Sequence, residues 1–248
     1  MSTVFLNLSD VETSRSMYRI LSFARLCELF DDSKLTLVRP EKWDDPFENY
    51  LSGAVYVRGD SKIEISGRRT VYGSCWTQRA ASDAMWRIYS PDKSAVRIKT
   101  TPKTMSESLN SALARRSSAQ GFIGKVKYLP ERDIVRTARD HALTLYKAHT
   151  REAVAETYLF KRNPFSHEAE IRVLVADGNA RPTAGGLLQV SINPHELIQT
   201  VLVDPRAPAS MVKMYKGHLK SAYGFDKHVA KSTLYTAPKP LVVDLGAE

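Results

Sequence analysis

The sequence predicts an α+β fold: a single domain built on a mixed or mostly antiparallel sheet flanked by helices. Two observations carry that prediction. Roughly seven short segments alternate or run apolar in the manner of strands, and about four longer ones repeat apolar residues at helical spacing. The two kinds do not alternate strictly, so the βαβ units of a doubly wound sheet are not indicated. A length of 248 residues allows a full core and sits at the upper end for one domain.

Residues 1–16 are a polar lead-in holding a short strand and a turn. Tyr18 to Ser22 is extended, and Ser22 then caps an amphipathic helix carried by Phe23, Leu26, Leu29 and Phe30 and ended by Asp31-Asp32-Ser33. Lys34 to Val38 is a strand, followed by a rigid acidic loop, Pro40 to Glu48, in which Pro46 forces Asp45 away from helical geometry. Ala54 to Val57, the basic hairpin-like stretch Ser61 to Arg69 and Val71 to Thr77 read as two or three strands. Ser82 caps a short helix through Tyr89, and Ser94 to Lys99 is a strand. Lys103 to Gln120 is helical, and Gly121 to Tyr128 alternates as a strand displaying Lys125 and Lys127. The longest helix starts at Pro130 and follows Ile134, Ala138, Ala142, Leu145, Ala148 and Val154, with Arg132, Arg136, Arg139, Lys147 and Arg151 on its polar side. Strands at Leu187 to Ile192, Leu197 to Val203 and Val229 to Tyr235, a helix at Met211 to Gly224 and a Pro-rich tail, 236–248, complete the chain.

Two stretches carry candidate chemistry. From Glu168 the pattern alternates, so Glu168, Glu170 and Arg172 share one face of a half-buried strand while Ala169, Ile171 and Val173 share the other. Carboxylates two residues apart perturb each other, and the neighbouring guanidinium keeps at least one ionised. A structural surface ion pair explains the same residues. The second stretch is the Trp43-Asp44-Asp45-Pro46 corner, which presents two carboxylates beside an indole; a turn whose Asp side chains bond the backbone is its structural alternative. Trp76, Trp86 and Tyr89 are dense enough to be core, but Arg79, Arg87 and Arg97 beside them keep base stacking open.

Lys and Arg number 36 against 27 Asp and Glu, a formal charge of +9, which favours a polyanionic partner, DNA or RNA. Lys125, Lys127, Arg132, Arg136 and Arg139 are the candidate backbone contacts. No apolar run approaches the ~20 residues of a membrane span, and the N-terminus lacks a signal peptide's basic start and apolar core, so a cytoplasmic protein is expected. Cys27 and Cys75 have no partners at ligand spacing, which argues against a zinc site or a disulfide framework, and no metal is expected. Walker and Gly-x-Gly-x-x-Gly loops are absent, excluding P-loop and Rossmann enzymes.

Tyr18-Arg19, Trp43 to Glu48, Cys75-Trp76-Thr77, Met85 to Tyr89 and Lys161 to Arg172 occur in an order and spacing that resembles a bacterial family catalogued as domain of unknown function 2971. The likeness runs from about Tyr18 to Val203, with Asp44 where that family usually has Asn. Its members turn up in abortive-infection and other phage-defence settings, so the resemblance implies a defence effector. The resemblance supplies no reaction, and the residues themselves support two enzymatic readings, both breaking an N-glycosidic bond through an oxocarbenium-like sugar, for which a carboxylate beneath the sugar and a second group assisting the leaving base are the minimum equipment. The first is a DNA glycosylase without a cofactor, acting through Glu168, Glu170, Asp44 and Asp45 on a base held by Trp43, Trp76 or Trp86, with Lys161, Arg162 and Arg172 nearby. In the second the substrate is NAD: Tyr18-Arg19, Ser74 and Glu168-x-Glu170 are similar to the Arg, Ser and Glu-x-Glu elements of ADP-ribosyltransferases, with Gly73-Ser74-Cys75-Trp76 replacing that family's Ser-Thr-Ser strand. The basic charge places the glycosylase first, and a non-enzymatic nucleic-acid-binding module third.

Overall fold

A computed structural model describes residues 2–50, 53–63, 70–148, 150–183 and 185–243. The strands in chain order are β1 (Val4–Leu6), β2 (Met17–Leu21), β3 (Lys34–Val38), β4 (Tyr56–Arg58), β5 (Ser61–Ile63), β6 (Val71–Thr77) and β7 (Val96–Thr100). They continue with β8 (Ala119–Lys125), β9 (Lys127–Leu129), β10 (Phe160–Arg162), β11 (Glu170–Asp177), β12 (Leu187–Ser191), β13 (Thr200–Val203) and β14 (His228–Lys231). The helices are α1 (Asp10–Thr13), α2 (Phe23–Asp32), α3 (Asp83–Tyr89), α4 (Pro102–Leu113), α5 (Glu131–Ala148), α6 (Arg151–Glu156), α7 (Pro194–Leu197) and α8 (Ala209–Tyr223). The fold is a single α+β domain.

Its main sheet runs β1-β8-β11-β6-β2-β7-β13-β14, with β3 and β12 branching from β6. The sheet is mixed, because β1 joins β8 and β13 joins β14 in parallel while the interior pairs are antiparallel. The interior strand β11 is buried at all eight residues rather than half-buried as the alternation suggests. Both faces of the sheet are covered. Ile171, Val173 and Val175 enter the larger core with Leu26, Leu37, Ile98 and Leu109, while Leu174 and Ala176 enter a second core with Val154, Ala155 and Leu159. Each such aliphatic side chain contributes roughly 1.5–3 kcal/mol by leaving water.

The sheet forks at β6. One edge pairs with β11 along its length, from Thr77 opposite Glu170 to Val71 opposite Ala176. The other edge meets β3 at Gly73, opposite Val38, and β2 at Thr77, opposite Tyr18. Ser74, Cys75 and Trp76 lie between these two attachments, at the mouth of the fork. Gly73 is required there, since a Cβ would stand 2.7 Å from the Trp43 indole and 2.9 Å from Leu174.

Elsewhere the local chemistry decides the boundaries. Ser22 caps α2 by accepting from the Arg25 N–H at 3.2 Å, and Ser82 and Thr101 do the same for α3 and α4. The long helix expected from Pro130 is two, because the Thr150 hydroxyl caps a new start by accepting from the Ala153 N–H at 3.1 Å. The strand expected over Gly121 to Tyr128 likewise divides into β8 and β9, which leaves Lys125 and Lys127 on different strands. The strand expected from Leu197 begins at Thr200, after the short α7, and the last strand ends at Lys231. Of the basic hairpin-like stretch Ser61 to Arg69, only β5 is described, and it pairs with β4 of the preceding segment, while Glu64 to Arg69 lies outside the described residues. Among the described residues no helix is long and apolar enough to cross a membrane.

Candidate active site

The Glu-x-Glu motif is not one strand. Glu168 ends a 3-10 turn (Asn163–Glu168), Ala169 takes a left-handed conformation at φ 42°, and β11 starts only at Glu170. Two bonds from the end of β6 and the residue after it hold this corner: the Thr77 hydroxyl donates to the Glu168 carbonyl, and the Gln78 N–H to the Ala169 carbonyl at 3.0 Å. The left-handed step still leaves Glu168 and Glu170 in the wall of one cavity.

That cavity, about 190 Å³, is lined by Tyr18, Arg19, Trp76, Thr77, Tyr89 and both carboxylates, among others. Arg19 closes the fork by donating from Nη1 to Ser74 Oγ at 2.8 Å. It also lines a groove of about 270 Å³ reaching along Arg25, Lys34, Thr36 and Gln189. Burial pulls the Arg19 pKa below its ordinary value. Trp76 is 3% exposed and its buried Nε1 has no hydrogen-bond partner among the described residues.

Behind the carboxylates lies a buried ionic network. Lys161 Nζ stands 2.6 Å from Glu168, 3.0 Å from Glu48 and 3.5 Å from Glu170. The Arg172 guanidinium grips both oxygens of Glu170, from Nε at 3.1 Å and Nη2 at 2.9 Å, and reaches Glu48 at 2.5 Å and the Tyr158 carbonyl at 2.6 Å. Burial opposes ionisation of Glu170, but the charge and hydrogen bonds of Arg172, with Lys161 behind, hold its carboxyl below the ordinary range. Burial likewise opposes the charge on Lys161, and the three carboxylates outweigh it, so its pKa is raised. Cys75 shares this face, and burial together with Glu170 pushes its thiol well up, which leaves it a poor nucleophile. Three carboxylates therefore face two buried cations behind the cavity, and Arg19 in its wall is a third cation, so the formal charges balance with the carboxylates and Arg19 set on different parts of the wall. Glu168 keeps the freer oxygen: Oε1 has the Tyr89 hydroxyl at 3.4 Å, while Oε2 faces Lys161.

The other residues singled out from the sequence divide cleanly. Tyr18, Arg19, Trp76, Glu168 and Glu170 line the cavity, and Ser74 is reached through Arg19. Lys161 and Arg172 belong to the network behind it, not to a substrate surface. The Trp43 ring is covered by the Arg172 guanidinium at 4.2 Å, so it is not open to a base. Trp86 is 1% exposed and is core. Asp45 caps the turn Pro46–Asn49 through the Phe47 N–H at 3.1 Å and pairs with Arg162 Nη2 at 2.9 Å, while Asp44 is exposed; neither lines the cavity. Lys125 is paired with Glu12 at 2.7 Å and Arg136 with Asp133 at 3.2 Å, whereas Lys127, Arg132 and Arg139 are exposed. Sequence reasoning missed Thr77, Tyr89 and Glu48 as site residues. Glu48 sits in the same loop as Asp45, and its burial at 4% is the sign of an internal ion pair that no local pattern reveals.

A family model described as "Protein of unknown function (DUF2971)" matches residues 85–173, in agreement with the resemblance drawn above. No curated protein matches the sequence. Among solved structures, DarT from Thermus sp. 2.9 in complex with ADP-ribosylated ssDNA is similar at 10% identity and a TM-score of 0.39, over 93% of this chain and 97% of that one. The complexes of the same protein with NAD+ and with carba-NAD+ are 11% identical with a TM-score of 0.37, over 90% and 88% of this chain and 98% and 96% of those. Two expectations are corrected here: the DNA glycosylase and the absence of a cofactor. The structural neighbours are NAD+, carba-NAD+ and ADP-ribosylated DNA complexes, and within this chain Asp44 and Asp45 lie outside the cavity that holds Glu168 and Glu170.

Proposed function

We propose that this chain is an NAD-dependent ADP-ribosyltransferase that modifies nucleic acid. One observation carries the reading: Arg19, Ser74 and the Glu168-x-Glu170 pair, far apart in sequence, meet where the sheet forks. NAD fits the donor set. Aromatic walls and the Glu168 and Glu170 carboxylates suit a cationic nicotinamide ring, the unpartnered Trp76 Nε1 donor suits its carboxamide oxygen, and Arg19 suits a polar ribosyl or phosphate oxygen. The cavity of about 190 Å³ is smaller than a ligand pocket of roughly 300–1,000 Å³, so it takes one end of the dinucleotide, and the groove beyond Arg19 takes the rest.

NAD supplies an ADP-ribosyl group, with nicotinamide as the leaving group. Glu170, held ionised by Arg172, places fixed negative charge where positive charge develops on the sugar as that bond breaks. Arg172 and Lys161 keep the carboxylate still, so little reorganisation accompanies the step. Glu168 takes the proton that the acceptor gives up as its new bond forms, with Tyr89 beside it. The formal charge of +9 supports a nucleic-acid acceptor.

Incubating the full chain with NAD and with single-stranded DNA, duplex DNA or RNA tests this by mass spectrometry. Nicotinamide release and one ADP-ribosyl group added to a nucleic acid are expected. Glu168→Gln should slow transfer on the order of 10²-fold, as for the loss of a positioned general base. Unconsumed NAD in every mixture would remove the reading.

A further inference from the structure

On the flank of α5 an apolar groove of about 540 Å³ runs between the helix and the segment after the Asp45 corner. Its walls include Tyr50, Ala54 and Val55 on one side and Val135, Ala138 and Arg139 on the other. Several of these are open to solvent: Tyr50 is 48% exposed, Val55 69% and Val135 49%. Apolar side chains this exposed and this close mark a contact surface.

Charge says what kind. The buried positions of α5 are Ile134, Ala138 and Leu145. On the opposite side, at spacings of four, three and eight, stand Arg132, Arg136, Arg139 and Lys147, all exposed. Asp133 is turned to Arg136, whereas Arg132 and Arg139 make no ion pair among the described residues. An apolar floor beside unspent guanidinium groups complements a ligand with flat apolar faces on an anionic backbone. A single strand of nucleic acid has both exposed, while a duplex hides its bases.

The groove is also connected to the carboxylates. Tyr50 stacks on Phe47 with ring centroids 6.1 Å apart, and the Arg162 guanidinium lies over Phe47 at 4.4 Å and over Phe165 at 5.5 Å. Lys161 Nζ lies over Phe165 at 4.8 Å and reaches Glu168 at 2.6 Å. One file of aromatic and cationic side chains thus connects the groove to the buried side of Glu168.

We propose that this groove docks a single strand of nucleic acid, its bases against Tyr50, Val55 and Val135 and its phosphates against Arg132 and Arg139. The assignment rests on the nucleic-acid acceptor proposed above and specifies where on the chain that acceptor lies. The contacts through Arg162, Phe165 and Lys161 fix the groove relative to Glu168 from the buried side of that carboxylate, while the nucleotide reaches Glu168 from the cavity side.

The test is fluorescence anisotropy of the full chain with a fluorescein-labelled single-stranded oligodeoxynucleotide, without NAD, so that it reads docking whether or not NAD is consumed. Tyr50→Ala and Arg139→Glu should each weaken binding about tenfold, and Arg139→Glu should reduce the slope of log affinity against log salt by about 0.7. Lys216→Glu, on the exposed face of α8, makes the same change in net charge and should alter affinity less than twofold. Equal losses for Lys216→Glu and Arg139→Glu would show diffuse attraction and overturn the groove. So would a duplex of the same length binding as tightly as the single strand, or Tyr50→Ala and Arg139→Glu binding as well as wild type with their melting temperatures unchanged. If docking behaves as stated while NAD stays intact, the groove stands and the transferase reading falls.

Discussion

Lys161 is the residue on which the site's electrostatics turn. Its side chain is 9% exposed and touches Glu48, Glu168 and Glu170 at once. Removing one partner from a buried ion cluster leaves charge uncompensated and typically costs about 3–5 kcal/mol. Lys161→Met should therefore lower stability by that amount near neutral pH, measured by urea unfolding. The pH profile gives a sharper check. In the wild type, Glu170 has a folded pKa below its ordinary 4.5, so its contribution is present above that value and lost as pH falls through the folded one. Lys161 is raised above its ordinary 10.5, so its contribution is complete below 10.5 and lost as pH rises beyond it. These two groups leave wild-type stability level from 4.5 up to the ordinary thiol value of 9.0, above which the raised Cys75 thiol lowers it, and the deficit of Lys161→Met should shrink toward pH 5 as acid supplies protons in place of the lost cation. A deficit independent of pH would assign it to packing alone. At this scale the sequence was partly legible. The Glu-x-Glu-x-Arg spacing signals a charged cluster, but the left-handed Ala169 that turns Glu168 into the cavity from outside the strand has no sequence signature, since Ala is an unfavourable residue there.

At the scale of elements, capping and apolar spacing placed α2, α3, α8 and most strands to within a few residues, because those signals are local. The failures share a cause. The Ile134 to Val154 periodicity continues across the end of α5, so only the Thr150 hydroxyl, with its bond to Ala153, distinguishes two helices from one. Thr150→Ala should remove that cap and cost about 1 kcal/mol, whereas Thr150→Ser should be nearly neutral, both read by thermal unfolding. Gly73 makes a second element-level case. A methyl group there meets both Trp43 and Leu174 within 2.9 Å, so Gly73→Ala should cost about 1–3 kcal/mol through overpacking. A neutral Gly73→Ala would mean that the indole is free to move off β6. Nothing in the local sequence identifies that glycine, since its constraint comes from residues thirty positions before it and a hundred after.

For the whole molecule, the α+β class follows from counting elements, but the fork does not. It requires β6 to be shared between β2 and β3, which precede it, and β11, which follows, and such pairings are set by long-range burial rather than by any local pattern. The fork is what joins the cavity to the groove beyond Arg19, and it makes a ligand that crosses Arg19 a brace between the two branches of the sheet. A ligand that binds only the folded chain stabilises it by mass action, about 2.7 kcal/mol at a hundred times its Kd. For a chain of this size, about 2–4 °C of melting temperature accompanies each kcal/mol. NAD at that excess should thus raise the melting temperature by roughly 5–11 °C. Nicotinamide, which occupies only the cavity, should raise it less even at high concentration. Arg19→Ala should abolish most of the NAD shift, because the guanidinium at the crossing point is lost, while its own melting temperature reports any separate damage to the Ser74 contact. An NAD shift as large in Arg19→Ala as in the wild type would place the dinucleotide elsewhere and detach the fork from the reaction.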